Sequence, residues 1–528
     1  MLKSIFFHSS FFLLCFLSLI LIISNVSFLF SFDITVFNIV GSLLISIYLM
    51  VFLIKKSIDV IASIGVAFII VIVSYYLAIT YFDISYDGQG YHQETIYLLK
   101  NGWNPIYEDS HAFRSWVNHY QKGNEIIQAN IYLLTAKIEA GKMINVLFIY
   151  IAWINFFDFL STLKMRSLYK WPLSFIVVFN PVVFTQVFTN YIDANWYLTF
   201  VISLSSLLSY FSNRKRLGLI IFILSSVIFC SLKLTSIPVF IVIAIFAFSY
   251  HLFCNKKKLI LPFLTIFLLS GICNVHPFLT NVKNGYHILH PFAGAKKSDI
   301  LNQNIPVVLL NKNRVERTLI SLFSESSNNR EVTLDQTLKL PFTVRSSQYY
   351  LNYDTRLGGF GFLFSGLLIV TLVIAVFYLW GENNHAHKKK MWFILVFIMC
   401  TILINPASWW ARLSPQIWLL PLIIIIFGLL SAYKWCRIFS RLSLLLFIIN
   451  IMIPACLAYI NLRFDNKTMN QFVDTVGKKT IILDLSNPRG FQQYDLKFKE
   501  RNINYKLQRI TNKKYLAPFT PDVYYEIK

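Results

Sequence analysis

The sequence predicts an all-α protein that crosses a membrane about thirteen times and carries a small α/β tail, and three observations lead there. Thirteen apolar runs of about 16 to 24 residues recur along the chain, and roughly 20 helical residues at 1.5 Å each span a hydrocarbon core. The composition is 56% hydrophobic and 14% charged, with 49 phenylalanines in 528 residues, outside the range of soluble globular chains. The lysines and arginines cluster in short loops of one parity, as the positive-inside rule requires of cytoplasmic loops.

The runs cover residues 11–31, 36–54, 59–80, 143–162, 172–190, 196–212, 217–232, 237–253, 259–275, 359–380, 391–405, 416–432 and 441–460. The first follows Lys3 but is too long for a signal peptide and lacks a small-residue cleavage site, so it reads as a retained helix. Runs 217–232 and 237–253 are short and meet at Lys233; losing both would preserve the parity of the others. Lys55-Lys56, Lys164 with Arg166 and Lys170, Arg214-Lys215-Arg216, Lys256-Lys257-Lys258, Lys388-Lys389-Lys390, and Lys434 with Arg437 and Arg441 supply the orienting charge. They place the N-terminus in the cytoplasm and the C-terminus outside, in a plasma (inner) membrane. Much of the formal charge of +23 is this anchoring, which attracts anionic lipid headgroups. No basic segment is interleaved with aromatics in a soluble domain, so nucleic acid is not an expected partner.

Residues 1–460 then form a transmembrane domain with outer loops at about 81–142 and 276–358, and 461–528 a small extracytoplasmic tail. The tail reads as a helix near 466–476, a strand at Thr480-Ile481-Ile482-Leu483 and a later strand near 503–507; so small a unit is expected to dock on the outer loops. Cys15, Cys230, Cys254, Cys273, Cys400, Cys436 and Cys456 all fall in or at the ends of predicted helices, which implies apolar fillers rather than a disulfide framework or a thiolate zinc site. No internal repeat is evident, which speaks against an inverted-repeat transporter.

Six polar clusters fall on the outer side. In the first, Asp87 precedes Gly88 and Gly90, and residues 90–100 read as an amphipathic helix closed by Asn101-Gly102, with Ile96, Leu98 and Leu99 available to a bilayer surface. A second surface helix is expected near 124–140. Asp87 at the helix start, with Tyr91 and His92 about one turn on and Glu94 following, suits a general base flanked by groups that bind phosphate or share the proton. An N-cap aspartate is the alternative, and it leaves His92 and Glu94 without a role.

Asp193, in the turn Tyr191-Ile192-Asp193-Ala194-Asn195-Trp196, is expected to bind sugar hydroxyls, a metal or Lys233, or simply to sit in a polar turn. Asn180-Pro181 should kink the preceding helix. Lys233 between two apolar runs needs a partner, an anionic ligand or a snorkelling path. Arg412, after Trp409-Trp410, can grip a lipid phosphate bidentately or anchor at the interface. His276-Pro277 ends a helix, and His287 and His290 lie three apart; Pro291 disfavours the helix a zinc pair would need, so a phosphate or sugar contact is preferred. Asp87, Asp193, Glu94 and His92 would make an oxygen-rich cation site only if their loops meet.

A many-pass chain whose first large outer loop opens on an acidic residue and continues as two surface helices resembles the GT-C superfamily of integral membrane glycosyltransferases. That group includes protein mannosyltransferases, oligosaccharyltransferases and the aminoarabinose transferases of lipid A. The likeness covers roughly residues 60–415 by layout, and by motif the Asp87 segment with, more weakly, Asp193 and Arg412. Three helices precede the loop here where those families usually have one, and Gly88 stands where some members carry a second acidic residue. The resemblance implies inverting sugar transfer from a polyprenyl-phosphate donor, with Asp87 as base or substrate orienter. The expected acceptor is an outward-facing, lipid-linked envelope glycan; no cofactor is required by this reading, and a divalent cation is open. A repeat-unit polymerase and a flippase for lipid-linked sugars are the alternatives. A flippase should carry charge midway along several helices, whereas these charges lie at helix ends.

Overall fold

In the computed structural model, residues 2–527 are described apart from 55, 113, 115, 164, 214–215, 255–258, 345–350, 478–479, 485–492, 511–514 and 520–522. The orienting charges Lys55, Lys164, Arg214, Lys215, Lys256, Lys257 and Lys258, and the Cys254 side chain, lie outside the described residues.

Six described helices are long and apolar enough to cross a membrane: Leu2–Leu29, Val36–Leu53, Ser57–Thr80, Ile138–Thr162, Phe364–Gly381 and Lys434–Gly477. Ile260–Cys273 and Val275–Lys283, bent by 57° about their junction, would together make a seventh. The other predicted runs form shorter or less apolar helices, for identifiable reasons. Pro181 cannot continue the helix Ser167–Val178, and Asn180 instead caps a new one, Pro181–Gln186, by accepting from the Val183 amide at 3.0 Å. Arg216–Cys230, at 15 residues, reaches only about 22 Å before the Lys233 turn. Gly358, Gly359 and Gly361 have positive φ, so the run expected from 359 starts its helix only at Phe364.

Leu2–Leu29 is the hub, packed against Val36–Leu53, Ser57–Thr80, Met143–Thr162 and Arg216–Cys230. Val36–Leu53 and Ser57–Thr80 lie outside it, exposing Phe52, Ile61, Phe68 and Ile69, apolar surface that suits lipid. Asp193–Asn213 packs between Met143–Thr162 and Arg216–Cys230, while Phe364–Gly381 and Leu419–Leu430 pack on Lys434–Gly477.

The two helices expected on the bilayer surface turn their apolar faces inward. Ile96 and Leu99 of Gln93–Lys100 are fully buried, and Gly123–Thr135 is buried from Gly123 to Tyr132, because the two pack on each other and Gly123–Thr135 packs on the hub. The helix foreseen near 466–476 is the end of the 44-residue helix Lys434–Gly477. Among the described residues four short strands follow it: β1 Ile481–Asp484, β2 Tyr505–Leu507, β3 Tyr515–Leu516 and β4 Tyr524–Ile527, ordered β2-β1-β4-β3. β1 and β2 pair in parallel across the helix Gln493–Lys499, and the other pairings are antiparallel. The tail docks as expected: Phe82 joins its apolar core, Lys497 Nζ donates to Gln89 Oε1 at 2.9 Å, and Glu500 Oε1 accepts from the Ile138 amide at 3.0 Å.

Among the described cysteines, Cys15, Cys230, Cys273 and Cys436 are buried and Cys400 and Cys456 exposed; all six are unbridged.

Candidate functional site

The six polar clusters converge on one cavity of about 500 Å³, a size suited to a small polar ligand. Asp87, Tyr91, His92, Asp193, Lys233, Pro277, His290 and Arg412 all line it.

Asp83 sets the two central loops against each other. Its buried carboxylate accepts from the Ser85 amide at 2.9 Å and from both the backbone and side chain of Asn190 at 2.8 Å. The chain then turns over itself so closely that a Cβ on Gly88 would fall 2.1 Å from Asp83 Oδ2, so only glycine fits. A π-turn, Gly88–His92, leads into Gln93–Lys100. The Asp87 side chain makes no capping bond. Its carboxylate is used elsewhere: Oδ2 accepts from Arg412 Nη1 at 3.0 Å, across 325 residues of sequence.

Arg412 is the centre of the site. Beyond Asp87, its Nη1 lies 3.6 Å from Asp193 Oδ2 and its Nε 3.0 Å from Asp354 Oδ1, the latter an ion pair without hydrogen-bond alignment. The guanidinium lies 4.4 Å from the Trp410 ring centroid and 5.0 Å from that of Tyr191, a cation–π setting that fixes its plane. Lys233 Nζ donates to Asp193 Oδ1 at 2.7 Å and sits 5.0 Å from the Trp196 ring, so of its expected partners Asp193 takes Lys233. Gln186 Nε2 donates to Asp193 Oδ2 at 3.3 Å, and its Oε1 accepts from the Ala194 amide. Arg356 completes the set, 3.3 Å from Asp354 Oδ2 and held by Asn304 at 3.1 Å. Burial pushes the Asp354 carboxyl above its ordinary range, against the pull of Arg412 and Arg356.

His92 lies beside this group. Its Nδ1 meets Glu125 Oε1, and both side chains are buried, at 2% and 0% exposed. His290 packs its ring against those of His119 and Tyr286, each centroid 4.5 Å away, and His119 Nδ1 is bound to Asn281. Burial holds His290 below the usual histidine range, with the charge of His119 acting in the same direction.

Two expected site residues are not brought to the cavity. Glu94 sits along Gln93–Lys100, away from the lining, because the π-turn rotates the start of that helix. His287 is exposed, and its Nδ1 accepts from the Leu289 amide at 3.1 Å. No protein-family model matches the chain, and no curated protein gives a significant sequence match.

Sequence reasoning passed over Asp83, Glu125, Asp354 and Arg356. Asp354 and Arg356 carried a usable signal: an acid and a base two residues apart, immediately before an apolar run and on the outer side of the predicted topology. Glu125 carried none, since one carboxylate at the start of an amphipathic helix reads as a solvated first-turn residue. Among the described residues no three His, Cys, Asp or Glu side chains are grouped as metal ligands. Arg412 occupies the space between Asp87 and Asp193 that a cation bridging their two loops would take.

Proposed function

We propose that this chain is an integral membrane glycosyltransferase of GT-C type, transferring a sugar from a polyprenyl-phosphate donor to an outward-facing acceptor, a lipid-linked glycan of the cell envelope. The observation that carries the reading is the convergence of Asp87, Asp193, Asp354, Lys233, Arg356 and Arg412, drawn from five separate chain segments, on one cavity. In this reading all thirteen apolar helices lie in a plasma membrane, with the cavity at its outer face.

The chemistry asks for a base for the acceptor hydroxyl and cations for a phosphate that gains charge as its bond to the sugar breaks. Asp87 and Arg412 hold each other at rest, 3.0 Å apart. A donor phosphate is the stronger partner for the guanidinium, so donor binding draws Arg412 away and frees Asp87 to take the acceptor's proton. The base therefore becomes available only when the donor is bound, which protects the donor from water. Lys233 and Arg356 add charge to the phosphate end, and Tyr191 offers an aromatic face to a sugar once Arg412 has moved.

The test is envelope glycan mass in cells carrying Asp87→Asn, with membrane abundance followed by an epitope tag. Loss of one sugar from the glycan while the protein persists is the expected result. An unchanged glycan removes Asp87 as base and transfers the weight to a flippase of lipid-linked sugars; a glycan with intact repeat units but short chains points to a polymerase.

A further inference from the structure

We infer that Glu125 positions His92 as the acid of the cavity, holding its Nδ1 so that Nε2 binds and protonates the phosphate leaving the sugar; this rests on the glycosyl transfer proposed above.

Glu125 is an expensive residue where it stands. It is 0% exposed, and its Oε1 takes both of its close partners, His92 Nδ1 and the Tyr120 hydroxyl at 3.3 Å. Its other oxygen, Oε2, has no hydrogen-bond partner among the described residues. A buried carboxylate kept for stability alone would be expected to satisfy both oxygens, because each bare lone pair in a low-dielectric setting is costly. One lodged against the back of an imidazole that lines a cavity has the orienting part of an acid–base dyad.

The surroundings of His92 fit that part. Tyr91 on its own turn lies 4.3 Å away between ring centroids, Tyr120 5.8 Å and Tyr191 6.4 Å. Arg412 lies 5.0 Å from the same Tyr191 ring, so the imidazole and the guanidinium adjoin one tyrosine in the lining of one cavity. The other charged groups around the cavity are Asp87, Asp193, Asp354, Lys233, Arg356 and Arg114, and Lys122, 4.0 Å from the Tyr120 ring, is acted on by Glu125 as well. With Nδ1 taken by Glu125, Nε2 is the nitrogen left for a ligand.

The step balances within these groups. The sugar–oxygen bond to the phosphate breaks and its electron pair stays on the phosphate oxygen. The acceptor oxygen bonds to the sugar carbon and its proton passes to Asp87. His92 gives the proton on Nε2 to the phosphate oxygen and regains one from Asp87 through cavity solvent, so the net transfer is one proton from acceptor to phosphate.

The experiment uses the full-length protein in lipid nanodiscs, with farnesyl phosphate as probe and its dissociation constant measured from about pH 6 to 8, where a histidine titrates. Wild-type binding is expected to weaken as pH rises, by on the order of tenfold for one lost charge-assisted hydrogen bond. In Glu125→Gln affinity at pH 7 should be roughly tenfold weaker, and Glu125→Asp should restore most of it. A folded Glu125→Gln protein with wild-type affinity and pH profile would overturn the inference and leave glycosyl transfer standing. Should that variant not fold, His92→Gln, which keeps a donor for Glu125, decides: a pH dependence equal to wild type overturns the proposal, and one reduced to what the probe's own second ionisation and Lys122 account for supports it. Wild-type protein that does not bind the probe at any pH sinks the donor-binding reading itself.

Discussion

Replacing Arg412 by methionine tests the centre of the site without any assumption about substrate. The substitution removes two carboxylate contacts at 3.0 Å and one at 3.6 Å. Asp193 keeps Lys233 at 2.7 Å and Asp354 keeps Arg356 at 3.3 Å, but Asp87, 19% exposed, loses the one ion pair it makes among the described residues. The gross attraction at 3.0 Å is about 5 kcal/mol with an effective dielectric near 20, and desolvation of both charges offsets most of it. What remains is of the order of a charge-assisted hydrogen bond, about 1.5–3 kcal/mol, lying towards the low end because neither group is fully buried. A double-mutant cycle reads this directly: Arg412→Met, Asp87→Asn and the pair, each unfolded thermally in one detergent. The pair should lose less stability than the two single changes added together, by about that coupling. Additivity within about 0.5 kcal/mol would show that the two side chains do not act on each other, and the account of a resting ion pair would fall.

Asp354→Asn removes one of the three carboxylates that neutralise Arg412, so binding of farnesyl phosphate should tighten by several-fold; weaker binding would mean that Asp354 orients Arg412 rather than competing for it. Burial lowers Lys122 from its ordinary 10.5 to about 7, with Glu125 acting against that shift. Between those two values the unfolded chain binds more protons than the folded one, so the melting temperature should rise as pH goes from about 7 towards 9 and respond less in Lys122→Met. Lys497, 1% exposed, ties the tail to Gln89 and to the Asp83 carbonyl. Lys497→Met should raise hydrogen exchange in Gln493–Lys499 and β1 while leaving Leu2–Leu29 protected; unchanged exchange in the tail would show that its apolar core alone holds it down.

The apolar runs were legible because hydrophobicity is summed over many residues and survives local errors: each of the thirteen coincides with helix in the structure, shifted or broken at its ends. How many of them are long and apolar enough to cross a membrane was less legible, since that depends on Pro181 breaking one helix and Lys233 ending another. Asp87, Asp193, Lys233 and Arg412 stood out because a charge beside an apolar run is anomalous on its own. Their pairing did not show, because Asp87 and Arg412 are 325 positions apart and nothing local in either segment names the other. The buried helix Gly123–Thr135 was misjudged for a related reason: its polar residues, Asn124, Glu125 and Gln128, face protein rather than water, and amphipathic spacing cannot tell a polar interior from solvent.

The charges at the site also constrain what can bind there. Asp87, Asp193 and Asp354 stand against Lys233, Arg356 and Arg412, three negative groups against three positive in one partly enclosed cavity. Arg114 also lines the cavity, so it is the second negative charge that farnesyl phosphate carries at neutral pH that leaves the set negative, an unfavourable state away from bulk water unless a further positive charge arrives with it. Two sources are at hand: a divalent cation brought with the donor, or a proton carried on His92. They separate in one titration, because a cation makes binding of farnesyl phosphate sensitive to chelator and insensitive to Glu125→Gln, whereas a protonated His92 reverses both responses. With His92 backed by a carboxylate and Arg412 filling the gap between Asp87 and Asp193, the expected result is binding that survives chelator and weakens as pH rises. Binding abolished by chelator in wild type and Glu125→Gln alike would return Asp87 and Asp193 to the role of metal ligands.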